Sequence, residues 1–128
     1  MAENSLPFDT KELMFQSALL KTLYAKELRE KKIPEEELPV LLYLRSLDGK
    51  VGIDSIPDWE QLPHDFKVGI DTLLEFEVMQ QRSIAEIARG VKRILSDQEY
   101  KARMIELYQT QFKPFYEQIQ GNLPKITK

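Results

Sequence analysis

The chain has 128 residues, 42% hydrophobic and 30% charged, with no cysteine, one histidine and a formal net charge of −3. A chain of that size can bury a core without disulfides or metal, and the composition excludes disorder throughout, disulfide frameworks, thiolate metal sites and cysteine nucleophiles. The charge is laid out unevenly: residues 1–32 carry six basic and five acidic side chains, residues 33–80 three and eleven, and residues 81–128 nine and five.

The opening "MAENSLPFDT" has neither a basic nor an apolar leader region, and the longest unbroken apolar run, Val40 to Leu44, falls far short of a membrane span. The expectation is a soluble, unprocessed protein of a reducing cytoplasm, with no membrane contact. Three residue pairs have the spacing of a capping box, Asp9 with Glu12, Ser83 with Glu86 and Ser96 with Glu99, and each predicts a helix start. From the first, Leu13, Ala18, Leu20, Leu23, Ala25 and Leu28 recur every three or four residues up to the basic "REKK", which predicts a first helix over about 10–31. Pro39 would break a helix begun at Pro34, so the second helix is expected from Pro39 to Asp48. Asp48-Gly49 also suits a β-hairpin turn, but five adjacent apolar residues without alternation favour a buried helix.

Residues 49–64 form a long connector in which Ile53, Ile56, Trp59 and Leu62 recur at every third position between prolines, predicting a packed turn. Phe66, Ile70, Leu73, Leu74 and Val78 mark a third helix to about Gln81, and Ile84, Ile87, Ala88, Val91, Ile94 and Leu95 a fourth. Tyr100, Met104, Leu107, Tyr108, Gln111, Phe112, Phe115 and Ile119 mark a fifth, kinked near Pro114 and ended by Gly121. The whole reads as one all-α domain, 1–128: a bundle of about five helices with a packed connector at about 49–64 and flexible ends at 1–8 and 121–128.

The stretch "RSIAEIARGVKRIL", residues 82–95, resembles a helix-turn-helix only in its first half, because Glu86, Arg89 and Ser96 stand where packed small or apolar residues are needed. Its apolar stripe runs through Gly90 without a change of phase, so one continuous helix is expected. Gly90 then lies on the flank of that stripe, either at a close helix crossing or as a tolerated flaw on the surface. Arg82, Arg89 and Arg93 share the opposite face.

No catalytic or cofactor signature emerges. The single histidine, His64, cannot build an imidazole metal cage or serve a serine triad, and it stands at a helix entry. Asp48-Gly49 lacks the alternating oxygen ligands of a calcium loop, and no phosphate-cradling glycine motif occurs. Two features point instead to macromolecular contact. Trp59 lies among Asp54, Asp58, Glu60 and Asp65, an acidic setting for an aromatic anchor. Tyr108, Phe112, Phe115 and Tyr116 make an aromatic face that is wide for a single bundle core. The sequence therefore favours a non-enzymatic protein–protein interaction module, an adaptor, assembly factor or regulator without cofactor or metal, contacting its partner or a second copy through Trp59, Tyr108, Phe112, Phe115 and Tyr116. The alternative is a nucleic-acid-associated protein using Arg82, Arg89, Lys92, Arg93, Lys101 and Arg103.

Overall fold

Among the described residues of the computed structural model, 10–75 and 82–122, there are seven α-helical segments and no strand; the side chains of Arg82, Ser83 and Asn122 are not described. The segments are α1 Thr10–Leu23, α2 Ala25–Glu30, α3 Leu38–Asp48, α4 His64–Glu75, α5 Arg82–Ser96, α6 Gln98–Leu107 and α7 Lys113–Ile119. They form an all-α bundle that follows the five periodic stretches of the sequence. Asp9, Val78, Gln81 and the ends 1–8 and 123–128 lie outside the described residues.

The expected first helix is bent into α1 and α2 at Tyr24 (φ −126°, ψ 29°), although its hydrogen bonds run on from Tyr24 N–H to the Leu20 carbonyl and from Leu28 N–H to that of Tyr24. The Tyr24 ring meets Phe115 edge-on at 6.3 Å. α2 ends in a Schellman motif: the Ile33 N–H returns to the Leu28 carbonyl, the Lys32 N–H returns to that of Arg29, and Lys32 itself takes a φ of +63°. The two apolar residues that close the motif, Leu28 and Ile33, are both buried. The "LPVLLYLRSLD" stretch is the helix α3, with Pro39 in its first turn.

Two predicted starts are corrected. Ser83 lies inside α5, which already includes Arg82. At the α5–α6 joint the cap is Asp97, whose carboxylate accepts the Tyr100 N–H at 3.2 Å, while the Ser96 hydroxyl donates back to the Lys92 carbonyl of its own helix at 2.7 Å. A carboxylate facing orphaned N–H groups is the stronger cap because charge and hydrogen bond act together. Asp97→Ala is therefore expected to cost about 0.5–2 kcal/mol and Ser96→Ala close to nothing, as measured by urea denaturation. Equal losses from the two would restore Ser96 as the cap.

The sequence predicts a kink in the fifth helix near Pro114; what the structure places before that proline is a π turn. Residues Tyr108–Phe112 widen into that register between α6 and α7, placing Pro114 in the first turn of α7. Proline offers no N–H and its ring crowds the carbonyl four residues back; loosening the preceding turn relieves both conflicts. Instead of stopping at Gly121, the chain runs through a final 3-10 turn, Gln120–Asn122.

At the centre is α5, which packs against α1, α3, α4 and α6 and buries Ala85, Ile87, Ala88, Val91, Ile94 and Leu95. Of the two roles open to Gly90, the crossing is the one found: a Cβ at this position would stand 2.3 Å from Cγ2 of Val40, so α3 and α5 touch through the missing side chain. The connector is packed as expected. Gly52 turns it at a φ of +83°, which side-chain-bearing residues rarely adopt, and Ile53 and Ile56 are buried immediately beyond.

Candidate functional site

Where α3 ends, the chain folds back on itself to leave a depression. The Lys50 and Val51 N–H groups both close onto the Leu47 carbonyl, at 2.8 and 3.0 Å, and the turn at Gly52 leads the connector back past the helix. A short 3-10 turn, Trp59–Gln61, follows; the Asp58 N–H donates to Oε1 of Gln61 at 3.1 Å, and the Gln61 N–H to the Asp58 carbonyl at 3.0 Å. Pro63 then feeds α4, whose first amides return to its carbonyl. Between the end of α3, this connector, the start of α4 and the end of α5 lies a hollow of about 350 Å³. Tyr43, Leu47, Phe66 and Leu95 are its buried lining residues, Leu62 and Pro57 belong to the connector side, and Asp65 is the one charged residue that lines it among the described residues. Val51 stands on its rim, 51% exposed. Apolar walls with one charged group are the composition of a recognition site. Burial holds the Tyr43 phenol well above its usual pKa, so it stays protonated at any physiological pH.

The structure places the aromatic residues singled out in the sequence elsewhere. Tyr108 and Phe112 have no exposed surface, and Phe115 and Tyr116 are 3% and 7% exposed. They belong to the core of this chain, stacked in sequence with Phe112 centred 6.1 Å from Tyr108 and 5.5 Å from Tyr116. Their polar ends are met internally: the Tyr108 hydroxyl donates to Asp48 at 2.8 Å, and the Tyr116 hydroxyl donates to Gln16 at 2.9 Å beneath the guanidinium of Arg45. Burial and the Asp48 carboxylate push the Tyr108 phenol up to about 12, while the Tyr108 bond, with help from Lys113, holds Asp48 below the usual carboxylate range. This corrects the expectation of a docking face there: the wide stripe is buried against α1 and α3, through Gln16 on the one and Arg45 and Asp48 on the other. Trp59 is half-buried, and its ring is covered by the chain's own cations, with Nζ of Lys92 at 5.3 Å and of Lys67 at 6.0 Å from the ring centroid.

The basic stripe is likewise engaged within the fold. Lys92 pairs with Asp71 at 2.9 Å; Lys101 pairs with Asp58 at 3.0 Å and also donates to the Ile56 carbonyl at 2.6 Å. Hydrogen bonds from Gln98 and Lys101 hold Asp58 below the ordinary carboxylate range. Arg93 and Arg103 both lie against the ring of Tyr100, at 4.7 and 5.2 Å, and the Tyr100 hydroxyl donates to Glu37. Arg89 lines a second cleft of about 310 Å³ in which Lys21, Arg89 and Arg93 face Glu36, Glu37 and Glu86. Among the described residues the cleft sets three cations against three carboxylates, a balance that does not by itself favour an anion. The side chain of Arg82 lies outside the described residues.

Among the described residues no group of three or more His, Asp or Glu side chains could hold a metal ion, and no helix is long and apolar enough to cross a membrane. Comparison with protein-family models, with curated proteins and with solved structures yields no match. One signal for the hollow could have been read from sequence: Asp58-Trp59-Glu60-Gln61 has capping-box spacing and marks the 3-10 turn on its edge. Its lining residues come from three helices and a connector, and no spacing rule joins them.

Proposed function

We propose that the protein is a non-enzymatic interaction module whose hollow receives an apolar side chain of a protein partner. The apolar hollow itself carries this reading: its walls are built from core residues, yet it opens to solvent beside a half-exposed Val51. Desolvated pockets that accept one anchoring side chain are where interface affinity concentrates. The cysteine-free sequence suits such a module in a reducing cytoplasm. A second copy of the chain is one partner the hollow could take, and sedimentation velocity separates this case from a foreign partner.

The test is quantitative capture from the native cell with three baits: wild type, Val51→Lys on the rim, and Val68→Lys at an exposed apolar position that does not line the hollow. Proteins held by wild type and Val68→Lys are expected to be lost with Val51→Lys, because a cation cannot be desolvated against an apolar anchor. An unchanged catch with Val51→Lys overturns the assignment of the hollow. Duplex DNA binding with a steep salt slope would put the nucleic-acid alternative in its place.

A further inference from the structure

We infer that the partner is a basic segment with one apolar anchor: a side chain of leucine or phenylalanine size enters the hollow while flanking Lys or Arg residues meet Asp65 on its lining and the carboxylates of the adjoining connector. The inference rests on the interaction role proposed above and adds the chemistry of the partner.

Charge is what selects the occupant. From Val51 to Phe66 the chain carries Asp54, Asp58, Glu60 and Asp65 and not one Lys or Arg. Asp58 is taken up by Lys101, but Asp54, Glu60 and Asp65 are exposed and have no ion-pair partner among the described residues. The cations nearby are occupied inside the fold: Lys67 reaches the Glu60 carbonyl at 3.4 Å and the Trp59 ring, Lys92 holds Asp71, and Lys101 holds Asp58 and the Ile56 carbonyl. Lys50, next to Val51 in the chain, lines a separate cleft with Arg45 and Gln16. The connector thus presents an apolar hollow together with unpaired negative charge, and an acidic partner would meet repulsion at each of the three free carboxylates. Size points the same way. At about 350 Å³ the hollow stands near the lower end of ligand-site volumes, roughly 300–1,000 Å³, which suits a single large side chain better than an extended cofactor.

Amide chemical-shift mapping on the ¹⁵N-labelled full chain tests this with three short synthetic peptides: a leucine flanked by lysines, the same leucine flanked by glutamates, and an alanine flanked by lysines. The lysine-flanked leucine peptide is expected to shift the amides of Val51, Leu62, Phe66 and Leu95. The glutamate-flanked peptide is expected to bind about tenfold more weakly or not at all, and added salt should narrow the gap. Asp65→Asn should weaken the basic peptide about two- to fivefold, the usual range for exposed pairs. Because Asp65 also lies in the first turn of α4, Asp54→Asn and Glu60→Gln on the connector are measured beside it and should weaken binding in the same direction.

Equal or tighter binding of the glutamate-flanked peptide overturns the basic-partner inference while leaving the hollow as a docking site. Tight binding of the alanine peptide overturns the anchor. Failure of both leucine peptides to move the hollow's amides up to about 1 mM, where only the weakest contacts remain unseen, overturns this inference and the interaction role together. Indole shifting those same amides when no peptide does would assign the hollow to a small aromatic ligand instead.

Discussion

Gly90→Ala is expected to destabilise the protein by about 1–3 kcal/mol, even though alanine is the better helix former by about 1 kcal/mol. The added Cβ would stand 2.3 Å from Cγ2 of Val40, far inside van der Waals contact. Val40 is branched at Cβ, which restricts its rotamers, and only 3% of its surface is exposed. It lines the cleft of about 310 Å³ together with Gly90, so turning its side chain toward that space, at the cost of a less favoured rotamer, is one relief. The other is to separate α3 from α5, the helix on which most of the bundle packs. Gly90→Leu should cost more. Val40→Ala alone should be destabilising through the cavity it leaves, but in the double variant each change relieves the other, so the combined loss should fall short of the sum by about 1 kcal/mol or more. Urea denaturation of the four proteins measures the cycle. A raised midpoint for Gly90→Ala, or strict additivity with Val40→Ala, would mean that the crossing is not there.

That crossing was half legible in the sequence. The apolar stripe of α5 keeps its phase through Gly90 and puts the glycine on the stripe's flank, but periodicity cannot say which helix approaches or how closely. The helices themselves were legible for the same reason, since each stripe records burial on one face. Local signals failed where two residues compete for one role or where an unusual residue fills it. Ser96 and Asp97 are both capable caps, and only the direction in which α5 ends decides that Asp97 faces the open N–H groups. The turn after α2 uses a left-handed lysine, Lys32, where a glycine would have announced it. Tyr24 bends a helix without any breaker in sequence. The hollow was the least legible of all, because Tyr43, Leu62, Phe66 and Leu95 become neighbours only after four elements have packed.

The aromatic residues of the last helical rod show how a wide stripe can be mistaken for a surface, and they set the second large effect. Phe112→Ala is expected to cost about 3–5 kcal/mol, the range for emptying a buried aromatic site. The ring has no exposed surface, sits between Tyr108 and Tyr116, and belongs to a π turn that Pro114 prevents from tightening into a regular helix to fill the space. Against a total of roughly 5–15 kcal/mol for a domain of this kind, such a loss consumes a large fraction of the stability. A docking residue would behave in the opposite way: its removal would abolish a contact with a partner and leave the unfolding transition in place. The comparison with Val51→Lys is therefore decisive. Val51 is half exposed, so changing it should leave the denaturation midpoint nearly where it was and remove only partner binding. Phe112→Ala should shift the midpoint sharply, and whatever fraction remains folded should still shift its hollow amides with the lysine-flanked leucine peptide. If Phe112→Ala instead kept the wild-type midpoint and lost its partners, the aromatic stripe would be the interaction face after all.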